Sequence, residues 1–201
     1  MNAILRSISF IFHPIIMPLV GVIFYFTKSP RYLPLDIIQA KVVSLFILTI
    51  LLPILIYMLL KSVGKTSSIY LQTTNERIIP LFINAIIVLL IILKVLPSNE
   101  IIELYFFFLG ILVSTLSCFI LAIMQIKASI HMMAVSGVFM FFLALSIHFS
   151  ININGSLAFM ALLTGAIATS RLHLQAHSVP ELVIGLFIGF IPQLILINYW
   201  M

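Results

Sequence analysis

The sequence predicts an all-α, polytopic integral membrane bundle of six or seven transmembrane spans. Of its 201 residues, 63% are hydrophobic and only 7% are charged, and the mean hydropathy is +1.31. A soluble domain of this length does not need so much apolar surface. The apolar residues also form runs close to the roughly 20 residues that a helix needs to cross a hydrocarbon core of about 30 Å.

Seven apolar runs are candidate spans. In chain order they cover residues 8–26, 42–60, 78–96, 101–126, 131–149, 156–169 and 182–200. The sixth run is short, so we expect it to extend at either end or to tilt. The first run contains His13-Pro14 and Pro18, and proline lacks the amide hydrogen that a helix interior uses, so we expect a kink or a break there. No repeat or soluble segment interrupts the pattern, so residues 1–201 are predicted to form one membrane-embedded domain.

Several functions and processing steps are disfavoured by composition. The net charge is +5, but the basic residues are scattered, so we expect no nucleic-acid partner. Cys118 is the single cysteine and can form no internal disulfide. Arg6 precedes an apolar run, as in a signal peptide, but no small-x-small cleavage motif follows before Lys28. We therefore expect this segment to remain as an uncleaved anchor.

The order of the spans places three polar segments on one membrane face. Segments 61–77, 127–131 and 170–181 are separated by two predicted spans each time, whereas Lys28, Arg31, Asp36, Lys41, Lys94, Glu100 and Glu103 fall on the other face. With the possible site residues set aside, the basic residues to compare are Arg6, Lys61 and Lys65 against Lys28, Arg31, Lys41 and Lys94. This count favours an extracytoplasmic position for the three polar segments, as on a bacterial inner membrane. The orientation reverses if Arg6 dominates.

The segment 170–181 carries an unusual density of ionisable groups. It contains Arg171, His173, His177 and Glu181, and membrane proteins rarely keep such groups at helix ends without a use for them. His177 and Glu181 are four residues apart, so on a helix they share a face and the carboxylate can orient the imidazole. Arg171 offers a guanidinium that could bind an oxyanion such as phosphate.

The polar residues of this face together suit phosphoryl transfer through a histidine. The other candidates are Arg77, Lys127, Ser129 and His131. In such a reaction one imidazole attacks phosphorus while a carboxylate holds it, a second imidazole protonates the leaving oxygen, and cations spread the developing charge. The scheme requires no metal and no cofactor.

These residues resemble the signature of the type 2 phosphatidic acid phosphatase superfamily of membrane lipid phosphatases. Its third block reads Ser-Arg-x5-His-x3-Asp, which Ser170, Arg171 and His177 match, with Glu181 at the aspartate position. The second block, Pro-Ser-Gly-His, keeps only Ser129 and His131. The first block, Lys-x6-Arg-Pro, keeps only Arg77, with Tyr70 at the lysine position and Ile78 at the proline position. The resemblance covers the chain from Arg77 onward.

The resemblance implies a role for each matched residue. His177 would be the nucleophile, Glu181 its partner and His131 the general acid. The phosphate ligands would be Arg171 and Arg77, with Lys127 in place of the missing lysine and Ser129 as a hydrogen-bond donor. The substrate would be a phosphorylated lipid or an isoprenoid (pyro)phosphate in the bilayer. Ile130 at the glycine position adds bulk where an oxyanion would approach a backbone amide.

Other readings of the same residues stay open. Arg171 and Glu181 could be an interfacial ion pair, Ser129 a helix N-cap, and Arg77 a topology signal. His173, His177 and Glu181 also form a stripe that could ligate a metal. A catalytically inactive relative, serving as a lipid-binding or assembly subunit in a homo-oligomer or membrane complex, is the main alternative. A small transporter is disfavoured because few polar residues besides His13 and Asn84 lie within spans.

Two further features of the sequence predict details of the helix packing. His13 could satisfy backbone carbonyls freed by the prolines, or line a path for lipid access. Gly185 and Gly189 are spaced as in a Gly-x-x-x-Gly pair, which predicts close helix packing in the last span beside His177.

Overall fold

The computed structural model describes residues 2–64 and 73–201, and within these ranges the chain is helical and contains no β-strand. The predicted all-α fold is therefore confirmed. Six helical segments are long and apolar enough to cross a membrane: Leu35–Ser62, Thr74–Val95, Ile102–Ile123, Ile130–His148, Asn154–His173 and Val179–Tyr199. The chain is an integral membrane protein. The short sixth run extends at both ends, to Asn154 and His173.

The helices follow one another with short connections. We number them α1 (Asn2–Ile11), α2 (Met17–Lys28), α3 (Leu35–Phe46), α4 (Leu52–Ser62), α5 (Thr74–Leu90), α6 (Ile102–Ile123), α7 (Ile130–His148), α8 (Asn154–His173) and α9 (Val179–Leu196). A π-helical turn, Ile47–Leu51, joins α3 and α4 into one span, and a second, Ile91–Val95, extends α5.

The first predicted span is broken, as the prolines indicated. Helix α1 ends at Ile11 and α2 begins at Met17, with His13 and Pro14 between them. Pro18 lies in the first turn of α2, where the missing amide hydrogen has no intrahelical partner to lose.

Helix α7 is the most buried of the six spans and packs most extensively against α9. Their contact depends on two glycines of α9. A Cβ atom at Gly185 would overlap the Ser129 carbonyl oxygen, and one at Gly189 would overlap the Met133 carbonyl oxygen. The predicted close packing at this glycine pair is confirmed.

Aromatic stacks join α7 to its other neighbours. The rings of Phe24 on α2 and Phe142 on α7 stack with centroids 3.6 Å apart. Those of Phe107 on α6 and Phe141 on α7 stack at 4.2 Å. Contacts between aromatic rings add to the energy of apolar burial, so these two pairs stabilise the centre of the bundle.

The two ends of the bundle differ in the residues that they gather. We call the end at which α6 and α8 finish and α5, α7 and α9 begin the site face; it contains the connections 124–129 and 174–178. At the opposite face lie Arg31, Glu103 and His148. The predicted gathering of polar segments on one face is confirmed for residues 73–77, 127–131 and 170–181.

Candidate functional site

His177 and Glu181 form a close polar pair on the site face. The Nδ1 atom of His177 lies 2.6 Å from Oε2 of Glu181, and the side chain of His177 is only 2% exposed. The expectation that both residues share a helix was wrong, because His177 precedes the Ser178 N-cap of α9. Glu181 lies in the first helical turn and reaches back to the ring, a position that also suits the helix dipole.

His177 is surrounded so that its neutral form is favoured. Burial lowers the pKa of His177 below its ordinary value of 6.5, the hydrogen bond with Glu181 opposes that effect, and the charges of Arg77, Lys127 and Arg171 lower the pKa further. With a carboxylate at Nδ1, the neutral ring carries its proton there and its lone pair on Nε2. The three cations predicted for this site are thus all close enough to act on His177.

Lys127 connects the two loops of the site face. Its Nζ atom donates to the Ala176 carbonyl at 3.0 Å and lies 3.9 Å from Oε2 of Glu181. Each loop contains a residue in the left-handed region near its start, Gln125 with φ 61° and Gln175 with φ 50°. These turns reverse the chain after α6 and α8 and bring Lys127 beside the pair.

Arg77 reaches the same region from α5. Its side chain is buried at 6% exposure, and Nη1 donates to the Ala128 carbonyl at 2.8 Å. A capping box between Thr73 and Glu76 fixes the start of α5. Gln125 contacts both Thr74 and Asn75, so the α5 terminus is held against the α6–α7 loop. Tyr70 lies outside the described residues.

Ser129 has the structural role that its sequence position allowed. It is the N-cap of α7, and its Oγ accepts a hydrogen bond from the Met132 amide at 3.4 Å. Its own amide donates to the Glu181 carbonyl at 3.0 Å. Ser129 therefore ties the start of α7 to the first turn of α9.

Ile130, which stands at the glycine position of the second signature block, packs among apolar side chains. It belongs to a small apolar cluster with Leu81, Cys118 and Met133, and it lines a small cavity beside Arg77.

His131 occupies the first turn of α7 and faces two other elements. Its Nε2 atom lies 3.2 Å from the Ser9 carbonyl oxygen, and its ring meets the ring of His13 edge to face at a centroid distance of 5.4 Å. Arg171 and His177 also act electrostatically on His131. Arg171 is in the last turn of α8, where it is 6% exposed. Both residues therefore join the cluster around His177.

The alternative of a metal stripe gains no support from the geometry. In the described ranges, no group of three or more His, Cys, Asp or Glu side chains is arranged to hold a metal ion, and this includes His173, His177 and Glu181. His173 is exposed.

Two features of the arrangement escaped the sequence analysis. His13 and Ser9 both lie beside His131. The sequence offered one signal for this contact, the histidine next to Pro14 within the first apolar run. Glu103 was assigned to the opposite face, but its complete burial was not foreseen: its carboxylate is 2.7 Å from Arg31 Nη2, 3.4 Å from His148 Nε2 and 3.0 Å from the Tyr25 hydroxyl. His148, the last residue of α7, is part of that cluster.

Comparisons with protein-family models, with characterised proteins and with solved structures give no match for this chain. The resemblance to the phosphatase superfamily therefore stays a prediction from the signature residues of the sequence.

Proposed function

We propose that the protein is a membrane-embedded, metal-independent lipid phosphatase that acts on a phosphorylated lipid or isoprenoid (pyro)phosphate through a phosphohistidine. The observation that carries this proposal is the 2.6 Å contact between His177 Nδ1 and Glu181 Oε2 beside three basic side chains. A neutral imidazole with its Nδ1 proton held by a carboxylate presents Nε2 as a nucleophile.

In the first step, Nε2 of His177 attacks the phosphorus atom. A P–N bond forms and the bond between phosphorus and the leaving oxygen breaks. His131 acts in this step as the imidazolium, protonated on both ring nitrogens beside the bound anionic phosphate: Nδ1–H gives its proton to the leaving oxygen, and the ring is left neutral with its proton on Nε2. In the second step, water attacks the phosphohistidine, His131 takes up a proton from it, the P–N bond breaks and inorganic phosphate leaves. The same imidazole thus serves as acid and then as base.

The nitrogen of His131 that moves this proton follows from its hydrogen bond. A carbonyl oxygen only accepts, so the contact with Ser9 requires a proton on Nε2. Nδ1 is therefore assigned to proton transfer, while Nε2–H holds the ring in place on the Ser9 carbonyl.

Arg171, Arg77 and Lys127 would stabilise the charge that develops on the phosphoryl oxygens. Arg77 and Lys127 each donate to a backbone carbonyl, and a guanidinium carries five N–H donors and an ammonium three. Charge-assisted hydrogen bonds to phosphate are stronger than hydrogen bonds between neutral groups, and shelter from water strengthens them further. The substrate tail would remain in the bilayer, and Ser129 would add a hydroxyl donor.

A second candidate is a catalytically inactive relative that binds lipid phosphates or assembles with other membrane proteins. One observation favours it: Arg77 and Lys127 each hold a backbone carbonyl of a neighbouring loop. Both could therefore act as structural cross-links.

The test is phosphate release from a panel of lipid phosphates and isoprenoid pyrophosphates by purified protein in detergent with EDTA. We expect turnover that falls by at least about 10³-fold in His177→Ala and by about 10²- to 10⁴-fold in His131→Ala. His173→Ala is the matched control, since this histidine is exposed on the same face. No turnover by folded wild-type protein on any of these lipids would favour the inactive relative.

We further propose that the membrane is a bacterial inner membrane and that the site face is extracytoplasmic, on the basis of the lysine and arginine distribution. A Gln175→Cys variant carries its thiol on an exposed loop of that face, while Cys118 is buried. A membrane-impermeant maleimide should label this variant in intact cells. Labelling only after lysis would show that the site face is cytoplasmic and would contradict the proposed orientation.

A further inference from the structure

The break in the first span places a third histidine at the proposed site. His13 lies between α1 and α2, and its ring meets that of His131 edge to face at 5.4 Å. The positive charge of Arg171 interacts electrostatically with the His13 ring. Residues 118 positions apart in the chain are thereby brought into ring contact.

The hydrogen bonds of His13 define which nitrogen can donate. The Ile15 amide lies 3.4 Å from Nδ1 of His13. A backbone amide only donates, so Nδ1 accepts this long hydrogen bond and the proton of the neutral ring is on Nε2. His13 therefore offers one N–H donor, next to the imidazole that we assign to proton transfer.

The position of the break is fixed by contacts with α8 and α7. The Ser170 hydroxyl donates to the Leu5 carbonyl at 2.6 Å, and it also contacts the Ser9 hydroxyl at 2.6 Å. The Ser9 carbonyl in turn lies 3.2 Å from His131 Nε2. Helix α1 is thus attached to α8 through Ser170 and to α7 through His131, and His13 follows two residues after its end.

Packing alone does not account for a histidine here. An edge-to-face contact with His131 could be made by any aromatic ring, and the proline-freed carbonyls need donors that a backbone amide or water could supply. A second imidazole beside His131 and Arg171 is instead suited to an oxyanion, because it adds a neutral donor without a competing acceptor on that nitrogen.

We propose that His13 is a substrate-contacting residue, whose Nε2–H donates to an oxygen of a tetrahedral oxyanion bound at Arg171 and His131. This inference rests on the proposed function for the identity of the oxyanion as a phosphoryl group. The α1–α2 break would then be part of the site.

The direct test is histidine NMR of ¹⁵N-histidine-labelled protein in detergent, titrated with orthovanadate, an analogue of the phosphoryl transition state. The five histidines are assigned by single replacement. We expect vanadate to shift the ring resonances of His13, His131 and His177 and to leave His148 and His173 unchanged. Shifts at His131 and His177 without one at His13 would overturn the proposal while leaving the phosphatase intact.

Two substitutions separate donation from packing. His13→Phe keeps a ring against His131 but removes the N–H, whereas His13→Gln keeps a side-chain N–H donor. We expect His13→Phe to weaken vanadate binding and turnover by about 10- to 100-fold, and His13→Gln to recover part of that loss. Equal behaviour of His13→Phe and wild type would overturn the proposal. If the wild type binds vanadate through His13 but releases no phosphate, His13 retains its role and the phosphatase proposal fails.

Discussion

At the scale of single residues, the charge state of His177 decides what the site can do. A nucleophilic imidazole must be neutral, and burial together with three cations lowers the pKa of His177 while Glu181 acts in the opposite sense. Neutral His177 is consequently retained to a lower pH than an exposed histidine would allow, and it is lost as the pH falls through the lowered pKa.

Lys127→Met removes one of the charges that lower the pKa of His177. We expect this pKa to rise by up to about one pH unit, so that the ring protonates at a higher pH. The measurement is a pH titration of the His177 ring by NMR in detergent. Lys28→Met is the control, since this lysine is exposed at the end of α2. An unchanged or lowered His177 pKa in Lys127→Met would contradict the electrostatic description.

At the scale of helices, the site is held together by the contact between α7 and α9. Ser129 at the start of α7 donates to the Glu181 carbonyl in α9, and Gly185 one turn further lies against the Ser129 carbonyl. The same close approach therefore orients Glu181, and through it His177.

Gly185→Ala tests this contact. The added methyl group meets backbone rather than a flexible side chain, so α9 must shift and we expect a loss of about 1–3 kcal/mol in unfolding free energy, together with reduced turnover. Gly165→Ala in α8 is the matched control, since nothing lies within 4 Å of its Cβ position. Thermal unfolding of both in one detergent gives the comparison, and equal melting temperatures would refute the packing argument.

The helices could be predicted to a much greater extent than the contacts between them. Apolar runs and the prolines at 14 and 18 indicated the spans and the break, because both features act locally. The spacing of His177 and Glu181 correctly indicated their pairing, although His177 lies outside the helix. The approach of His13 to His131 could not be predicted, because it depends on how α1 packs against α8. The burial of Glu103 depends in the same way on four separate segments.

At the scale of the whole molecule, the bundle has a polar cluster at each of its two ends, and its apolar helices lie between them. The cluster at the opposite face joins Glu103 of α6 with Arg31, His148 and Tyr25, and the His148 ring also contacts Trp200 at 5.1 Å. It connects the ends of α2, α7 and α9 with the start of α6. We assign it a role in stability.

Glu103→Gln should therefore lower stability without altering the site. The neutral amide loses the buried ion pair with Arg31 and alters the contact with His148, and we expect a cost of about 1–3 kcal/mol in unfolding free energy, with turnover within about twofold of wild type at 25 °C. Glu100→Gln is the control on the same face, because its ion pair with Lys41 is partly exposed and should contribute less. A folded Glu103→Gln protein that has lost turnover would show that the two ends are linked.

The central claim is that His177 carries the phosphoryl group during turnover. It is tested most directly by rapid quenching with a ³²P-labelled lipid phosphate in EDTA, followed by mapping of acid-labile label to individual histidines. We predict transient label on His177 in the wild type, slower formation and slower loss of that label in His131→Ala, because His131 acts in both steps, and no label in His177→Ala. Turnover without label on His177, or full turnover by His177→Ala, would contradict the claim.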